Sequence, residues 1–457
     1  MIDKTIPGSF RDPAGFMYIH DGTLMRRIHE CYKENYRHLM DSGLYDELIS
    51  RKYLVEHEEL QANLPSGVYI DIVPTKVPFI SYPYEWSFTQ LKVAALLTLD
   101  IQTLAMKYEM SLKDASAFNI QFINGKPILI DTLSFEKIHE GMPWIAYQQF
   151  CKHFLAPLAL MSQVDVCLGQ LSKIYIDGVP LDLASKLLPW NSYFKFGVFA
   201  HLHLHAKAET RYSNKNKKYL KLKRVKKTDL ENLIYSLKGA VNKTFWNKSK
   251  TEWDDYYENN NNYTLQTMEL KKIFVLDSLK KVSPDLVWDL GSNTGYFSRL
   301  AASQGIETIS FDIDYACVEA NYKRTIDNSE MKLLPLYLDL TNPSPGIGWD
   351  NKERHSFLER GHPQLTLALA LIHHLTISNN LPLDKLAKFF FEMTQYLVIE
   401  FVPKSDSMVQ HLLSTRKDIF FNYHESGFEE SFCKYFTIIS KKKIIDSERT
   451  MYLMKRI

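Results

Sequence analysis

Between Asp285 and Val402 five short apolar runs recur, "DLVWDL", "IETISFD", "LLPLYLDL", "LTLALAL" and "YLVIEFV", separated by helical or loop-like stretches. Each run has strand length and is too apolar to keep one face in water, which suits strands buried on both faces. Parallel neighbours need a long crossover, usually a helix, so this alternation predicts a doubly wound, mainly parallel α/β sheet. The tail "FTIISKKKIIDSERTMYLMK" reads instead as two adjacent strands joined by a polar turn, so an antiparallel hairpin is expected to end the sheet.

The first run ends in Asp289, and the glycine-bearing turn that follows, "DLGSNTG", opens a helix. A strand, tight turn and helix of this kind normally hold a nucleotide-like ligand. A phosphate loop needs GxxxxGK[ST], and no lysine stands there. A dinucleotide turn needs GxGxxG, but Asn293 and Tyr296 occupy its second and third glycine positions, and the third must be small for close helix–strand packing. The remaining template is D-x-G-x-G-x-G. Asp289, Gly291 and Gly295 fit it, and Asn293, the residue type best suited to positive φ, replaces the middle glycine. The second run ends in "SFDID", where Asp312, or alternatively Asp314, can accept hydrogen bonds from ribose hydroxyls. The third ends in Asp339 and Leu340, a carboxylate and a backbone N–H placed for an adenine ring.

On these residues, positions 251–457 resemble the class I S-adenosylmethionine-dependent methyltransferases. The resemblance implies a Rossmann-like fold, S-adenosyl-L-methionine as methyl donor, and a donor site at Asp289, Gly291, Asn293, Gly295, Asp312, Asp339 and Leu340. The stretch from "DLTNPSPGIGWD" to "LALALIHHL" also resembles a bacterial group labelled nodulation-type methyltransferases, a label that fixes no acceptor. His373 and His374, just after the fourth run, would lie near the reacting methyl group, where one can act as a base. Adjacent histidines point apart, which argues against joint metal binding. Glu400 ends the fifth run and either orients the acceptor or pairs with a cation.

Residues 1–205 read as an α+β domain. "GFMYIHDGTLMRRI" and "NIQFINGKPILID" are hairpin patterns turning at Asp21-Gly22 and Asn124-Gly125. "ENYRHLMDSGLYDELISRKYL" has helical periodicity, and a long helix is expected after an N-cap at Ser87 or Thr89. Asp114, Asn119 and Asp131 follow the order of a catalytic aspartate, a metal-binding asparagine and a metal-binding aspartate after a hairpin. This part of the chain resembles the protein-kinase-like fold. It departs from the pattern in "SLKD", in lacking a glycine-rich loop, and in offering Arg26 or Arg27 where a lysine is usual. The resemblance implies a degenerate kinase-like domain that helps select substrate, with an active Mg-ATP phosphotransferase as the alternative.

The chain has 457 residues, more than one ordinary core accommodates. Its net charge of +2 says little, but residues 206–250 form a basic stretch, expected as a linker or as a surface for nucleic acid or another anionic partner. A non-enzymatic nucleic-acid scaffold is therefore a third reading. The five cysteines form no CxxC pair, which points to reduced thiols and no structural zinc. Neither a signal pattern nor an apolar run of membrane-spanning length is visible, so a cytoplasmic location is expected.

Overall fold

The computed structural model describes residues 4–60, 64–207, 224–246, 265–414, 416–445 and 447–457. Two compact units emerge: Met1–Lys248 with Gly346–Arg354, and Ser249–Pro345 with His355–Ile457.

Unit 1 begins with a five-stranded antiparallel sheet of β1 (Lys4–Thr5), β2 (Gly15–His20), β3 (Thr23–His29), β4 (His57–Leu60) and β5 (Val68–Pro74), in the order β1-β2-β3-β5-β4. The β2–β3 hairpin turns where expected, with Asp21 at φ 47° and Gly22 at φ 74°, the left-handed pair that matches strand twist. The helical stretch after β3 is two helices, α1 (Lys33–Asp41) and α2 (Leu44–Ser50), because Gly43 takes φ 84° and ends the first. The long α3 (Phe88–Ala105) starts at Ser87, whose hydroxyl accepts from the Gln90 N–H while the Gln90 side chain accepts from the Ser87 N–H. Buried residues lie on nearly every side of α3, as befits a helix through the middle of a core.

Four short strands follow: β6 (Met110–Leu112), β7 (Ile120–Ile123), β8 (Lys126–Leu129) and β9 (Phe135–Lys137). β6 pairs with β9, and β7 pairs with β8 around the Asn124–Gly125 turn. Helices α4 (Ala156–Gln163), α5 (Leu181–Leu187) and α6 (Lys227–Asn242) complete the unit. α6 falls inside the stretch expected as a linker, yet it packs on α3, with Lys238 2.7 Å from Asp100. Most of "KNKKYLKLKRVKK" and all of "YENNNNYT" lie outside the described residues.

Unit 1 also takes in Gly346–Arg354, a stretch that follows the third strand of the other unit in sequence. Glu353, with a side chain only 2% exposed, receives a two-pronged contact from Arg11 at 2.7 and 3.0 Å. Ile347 packs on the cluster of Tyr82, Tyr84 and Phe118, and the Arg354 guanidinium lies 4.6 Å from the Phe118 ring centre.

Unit 2 opens with α7 (Leu265–Val282), then alternates β10 (Leu286–Leu290), α8 (Tyr296–Ser303), β11 (Glu307–Asp312), α9 (Tyr315–Asp327), β12 (Leu333–Tyr337), β13 (Leu365–Ala368), α10 (Leu383–Met393) and β14 (Tyr396–Phe401). After α11 (Ser407–Ser414) and α12 (Glu425–Phe432) come β15 (Phe436–Lys443) and β16 (Thr450–Arg456). The seven strands run β12-β11-β10-β13-β14-β16-β15, parallel from β12 to β14 and antiparallel through the last two. This is the doubly wound sheet with a closing hairpin that the sequence implied. On one face Val287, Leu365, Leu367, Val398 and Leu453 pack against Phe274 and Val275 of α7 and Phe297 of α8. On the other, Trp288 and Phe311 pack around Phe357. The strand order reverses at β10 and β13, so the crevice at their carboxyl ends is where a ligand belongs.

Ser87→Ala removes the cap of α3 and is expected to lower the stability of unit 1 by about 1 kcal/mol. Urea denaturation followed by far-ultraviolet dichroism measures it, and an unchanged midpoint would show that the cap contributes nothing.

Candidate functional site

The turn after β10 is built from left-handed backbone: Gly291 at φ 73°, Asn293 at 49° and Gly295 at 81°. Asparagine thus does take the middle glycine's place. Gly295 is required on two counts, since a Cβ there would fall 2.5 Å from the Asn321 side chain and 2.7 Å from Arg299. Asp289 is buried, with the Ser298 hydroxyl donating to it at 2.5 Å. Asp312 accepts from the Asn293 N–H at 2.7 Å and the Asp314 N–H at 2.9 Å, which ties the end of β11 to the turn. Asp314 is committed elsewhere: it caps α9 by accepting from Ala316 and Cys317. Of the two acids weighed for the ribose, Asp312 is the one at the turn.

Burial pushes the Asp289 carboxyl up to about 7, with the Asp312 charge adding to the rise. Burial also raises Asp312, to about 6, although backbone N–H groups pull the other way. Asp339 accepts from the backbone N–H and hydroxyl of Thr341, and Leu340 beside it is half-buried. Ile313, directly after Asp312, is 56% exposed. Sequence reasoning passed over it; the available signal was an apolar residue between two acids at a strand end.

The loop after β13 is held from below. Ala370 adopts φ 49°, unusual for a residue with a side chain, and donates its N–H to Glu400 at 2.8 Å. Lys271 of α7 donates to the same Glu400 oxygen at 2.8 Å, and Arg449 stands 3.5 Å from the other. Arg449 in turn pairs with Asp406 at 2.7 Å. Burial alone would raise the Glu400 carboxyl, but Lys271 and Arg449 hold it below its ordinary value. Glu400 is fully buried, so it does not face an acceptor; of the two roles weighed for it, pairing with a cation is the one observed. Leu371, directly after Ala370, lies over the glycine turn, where a Cβ on Gly291 would come 3.1 Å from its Cδ1. His373 and His374 follow, their rings 4.1 Å apart. His373 is buried, and among the described residues its Nδ1 has no hydrogen-bond partner. Burial, reinforced by the Arg449 charge, lowers His374 to about 4.

In unit 1, Asp114 follows β6, Asn119 precedes β7 and Asp131 follows β8. Asp114 accepts from the Ser116 N–H and from Gln149 at 2.9 and 2.8 Å. Burial raises its carboxyl, and the Asp131 charge raises it further. Asn119 lies 3.5 Å from the Ser134 hydroxyl, which donates to Asp131 at 2.6 Å. Alternation along β3 separates the two arginines: Arg26 pairs with Asp131 at 2.5 Å, and Arg27 with Asp71 at 2.8 Å on the neighbouring strand. Among the described residues no cluster of three or more histidine, cysteine or acidic side chains is arranged to hold a metal.

Nodulation protein NoeA of Rhizobium meliloti (strain 1021) is 32% identical to this chain over 462 aligned residues, spanning 99% of this chain and 96% of that protein. The chain belongs to the NoeA family. No family model matches it. Partial similarity extends to solved structures. Magnesium protoporphyrin IX methyltransferase from Synechocystis PCC 6803, with bound SAH, is 14% identical over 42% of this chain and 84% of that one, at a TM-score of 0.32. WbdD is 18% identical over 41% of this chain and 40% of that one, at a TM-score of 0.30. N-methyltransferase NodS from Bradyrhizobium japonicum WM9 is 10% identical over 42% of this chain and 96% of that one, at a TM-score of 0.30.

Within this NoeA-family chain, Lys271 and Arg449 were invisible to motif reasoning, because they stand far from Glu400 in sequence. Glu400→Ala leaves two buried cations short of a partner and is expected to cost about 3–5 kcal/mol, whereas replacing Lys271 and Glu400 together by methionine should recover most of that loss. Chemical denaturation of the three proteins measures both effects; a mild single variant would show that the pair is solvated.

Proposed function

We propose that this NoeA-family chain is an S-adenosylmethionine-dependent methyltransferase in which unit 2 binds the donor and unit 1 helps select the acceptor. The observation that carries this reading is the pair of carboxyls, buried Asp289 and half-buried Asp312, both raised in pKa, at adjacent parallel strand ends beside a left-handed turn. A pyrophosphate there would face two acids. A ligand with an ammonium, a sulfonium and ribose hydroxyls would satisfy them. Asp312 would hold the ribose, the turn from Gly291 to Gly295 would leave room for the ligand, and Ile313, Asp339 and Leu340 would flank the adenine. When bound, S-adenosylmethionine supplies an electrophilic methyl group.

The loop at His373 and His374 would position the acceptor. A histidine lowered to about 4 is neutral at pH 7 but a weak base, so His374 is better suited to hydrogen-bonding an acceptor than to removing its proton. Alignment then supplies most of the rate enhancement.

S-adenosylhomocysteine titrated calorimetrically should bind with about −7 to −8 kcal/mol, a micromolar affinity. Asp312→Ala and Gly295→Arg should each abolish the signal. The absence of heat with the unaltered chain would sink the reading.

Both carboxyls titrate above the ordinary carboxylate value, so the ligand-free protein holds protons that a cationic ligand displaces. Affinity should therefore rise with pH through about 6 to 7, with proton release visible in buffers of different ionisation enthalpy, and Asp289→Asn should flatten the profile. A flat profile in the unaltered protein would contradict the assignment.

A second reading, Mg-ATP-dependent phosphotransfer by a kinase-like unit 1, is favoured by the convergence of Asp114, Asn119 and Asp131. Against it, Arg26 already neutralises Asp131, and a divalent cation fits there only if that pair opens. Binding of ATP with Mg²⁺ lost on Asp131→Asn, with phosphate release lost on Asp114→Asn, would favour the second reading; no binding leaves unit 1 a selecting module.

A further inference from the structure

We propose that unit 1 docks on the surface of an anionic lipid bilayer through an aromatic tip at Trp190, Phe194 and Phe196, rimmed by Lys186, Lys195 and Lys207. The proposal goes beyond methyl transfer and does not depend on it.

Three large rings within seven residues project into solvent: Trp190 is 76% exposed, Phe194 78% and Phe196 73%. Single exposed apolar residues are ordinary, but a cluster of aromatic rings on one short turn is a surface made to meet something. Trp190 and Phe194 contact each other edge to face at 5.7 Å. The turn that carries them is firmly anchored. Tyr193, between them, stacks at 3.9 Å on His203. His203 is buried and fixed through both ring nitrogens, by the hydroxyls of Ser185 at 2.7 Å and Ser192 at 2.8 Å. Gly197 lies so close to α6 that a Cβ there would come 2.5 Å from that of Ala240. Rings on a rigid turn lose little conformational freedom when they insert.

The charges around the tip select the occupant. Lys186 and Lys195 are exposed, and the Lys207 ammonium lies 5.7 Å from the Tyr193 ring centre. Asp182 pairs with Lys186 at 3.3 Å and offsets that charge, so Lys195 and Lys207 carry the positive sign of the rim. Tryptophan and phenylalanine at the tip with lysines behind is the arrangement that seats at the headgroup level of a negatively charged leaflet, rings in the acyl boundary and ammonium groups among the phosphates. No helix among the described residues is long and apolar enough to cross a membrane, so contact would be with the surface alone.

The full chain is sedimented with vesicles of pure phosphatidylcholine and with vesicles containing roughly one-third phosphatidylserine. Binding should be at least about tenfold tighter to the anionic vesicles and should weaken about tenfold in the W190S/F194S variant. Both positions are solvent-exposed, so the variant's dichroism spectrum should match that of the unaltered chain. Brominated phosphatidylcholine in anionic vesicles should quench tryptophan emission, and W190F should remove most of that quenching. Equal binding to both vesicle types, or undiminished binding by the double variant, overturns the proposal. So does binding of single-stranded RNA, lost in the double variant, when no vesicle binds.

Discussion

The buried pair of Lys271 and Glu400 is the contact on which the arrangement of unit 2 turns. Neither charge reaches water, so each is tolerable only because the other is there. The pair joins the helix ahead of the sheet to the end of β14, and through the Ala370 N–H it holds a left-handed residue at the start of the loop after β13. From there Leu371 is laid over the glycine turn and the two histidines are presented beyond it. A buried ion pair thereby sets the geometry of the loop after β13 at the rim of the crevice.

On the other side, the proposed donor site rests on chemistry rather than on shape. Dinucleotide and donor turns look alike as backbone, since both bring a chain in left-handed conformation close to a ligand. What separates them here is the charge at the strand ends. On the proposed reading, two carboxyls raised by burial disfavour a phosphate and suit a cation and hydroxyls. The asparagine at position 293 preserves the turn, and its N–H goes to Asp312, so substituting the middle glycine leaves the turn locked to the second strand.

Legibility in the sequence followed the range of the interaction. The five apolar runs, the two Gly-containing hairpins and the Ser87 cap are local patterns, and each appears where its residues predict. Adjacent Arg26 and Arg27 could not be told apart by pattern, because only the sheet decides which face meets Asp131 and which meets Asp71. Glu400 ended a strand as expected, but its partners lie 129 and 49 residues away, beyond any motif. Helix α6 was hidden for a different reason: its flanking lysines resemble a solvated linker, while its buried side, with Leu230, Ile234, Leu237 and Val241, is carried on a helical period.

Unit 1 is not contiguous in the chain. Its buried Glu353 and the Arg11 that neutralises it stand 342 residues apart, with the rest of unit 1 and the first three strands of unit 2 between them in sequence. During synthesis the amino-terminal residues must therefore wait, with Arg11 left only the exposed Asp177 as a partner and the Tyr82–Phe118 cluster lacking Ile347, until the ribosome has passed position 354. The two units mature on one clock, and a chain cut at their nominal boundary would never own all the parts of its first half.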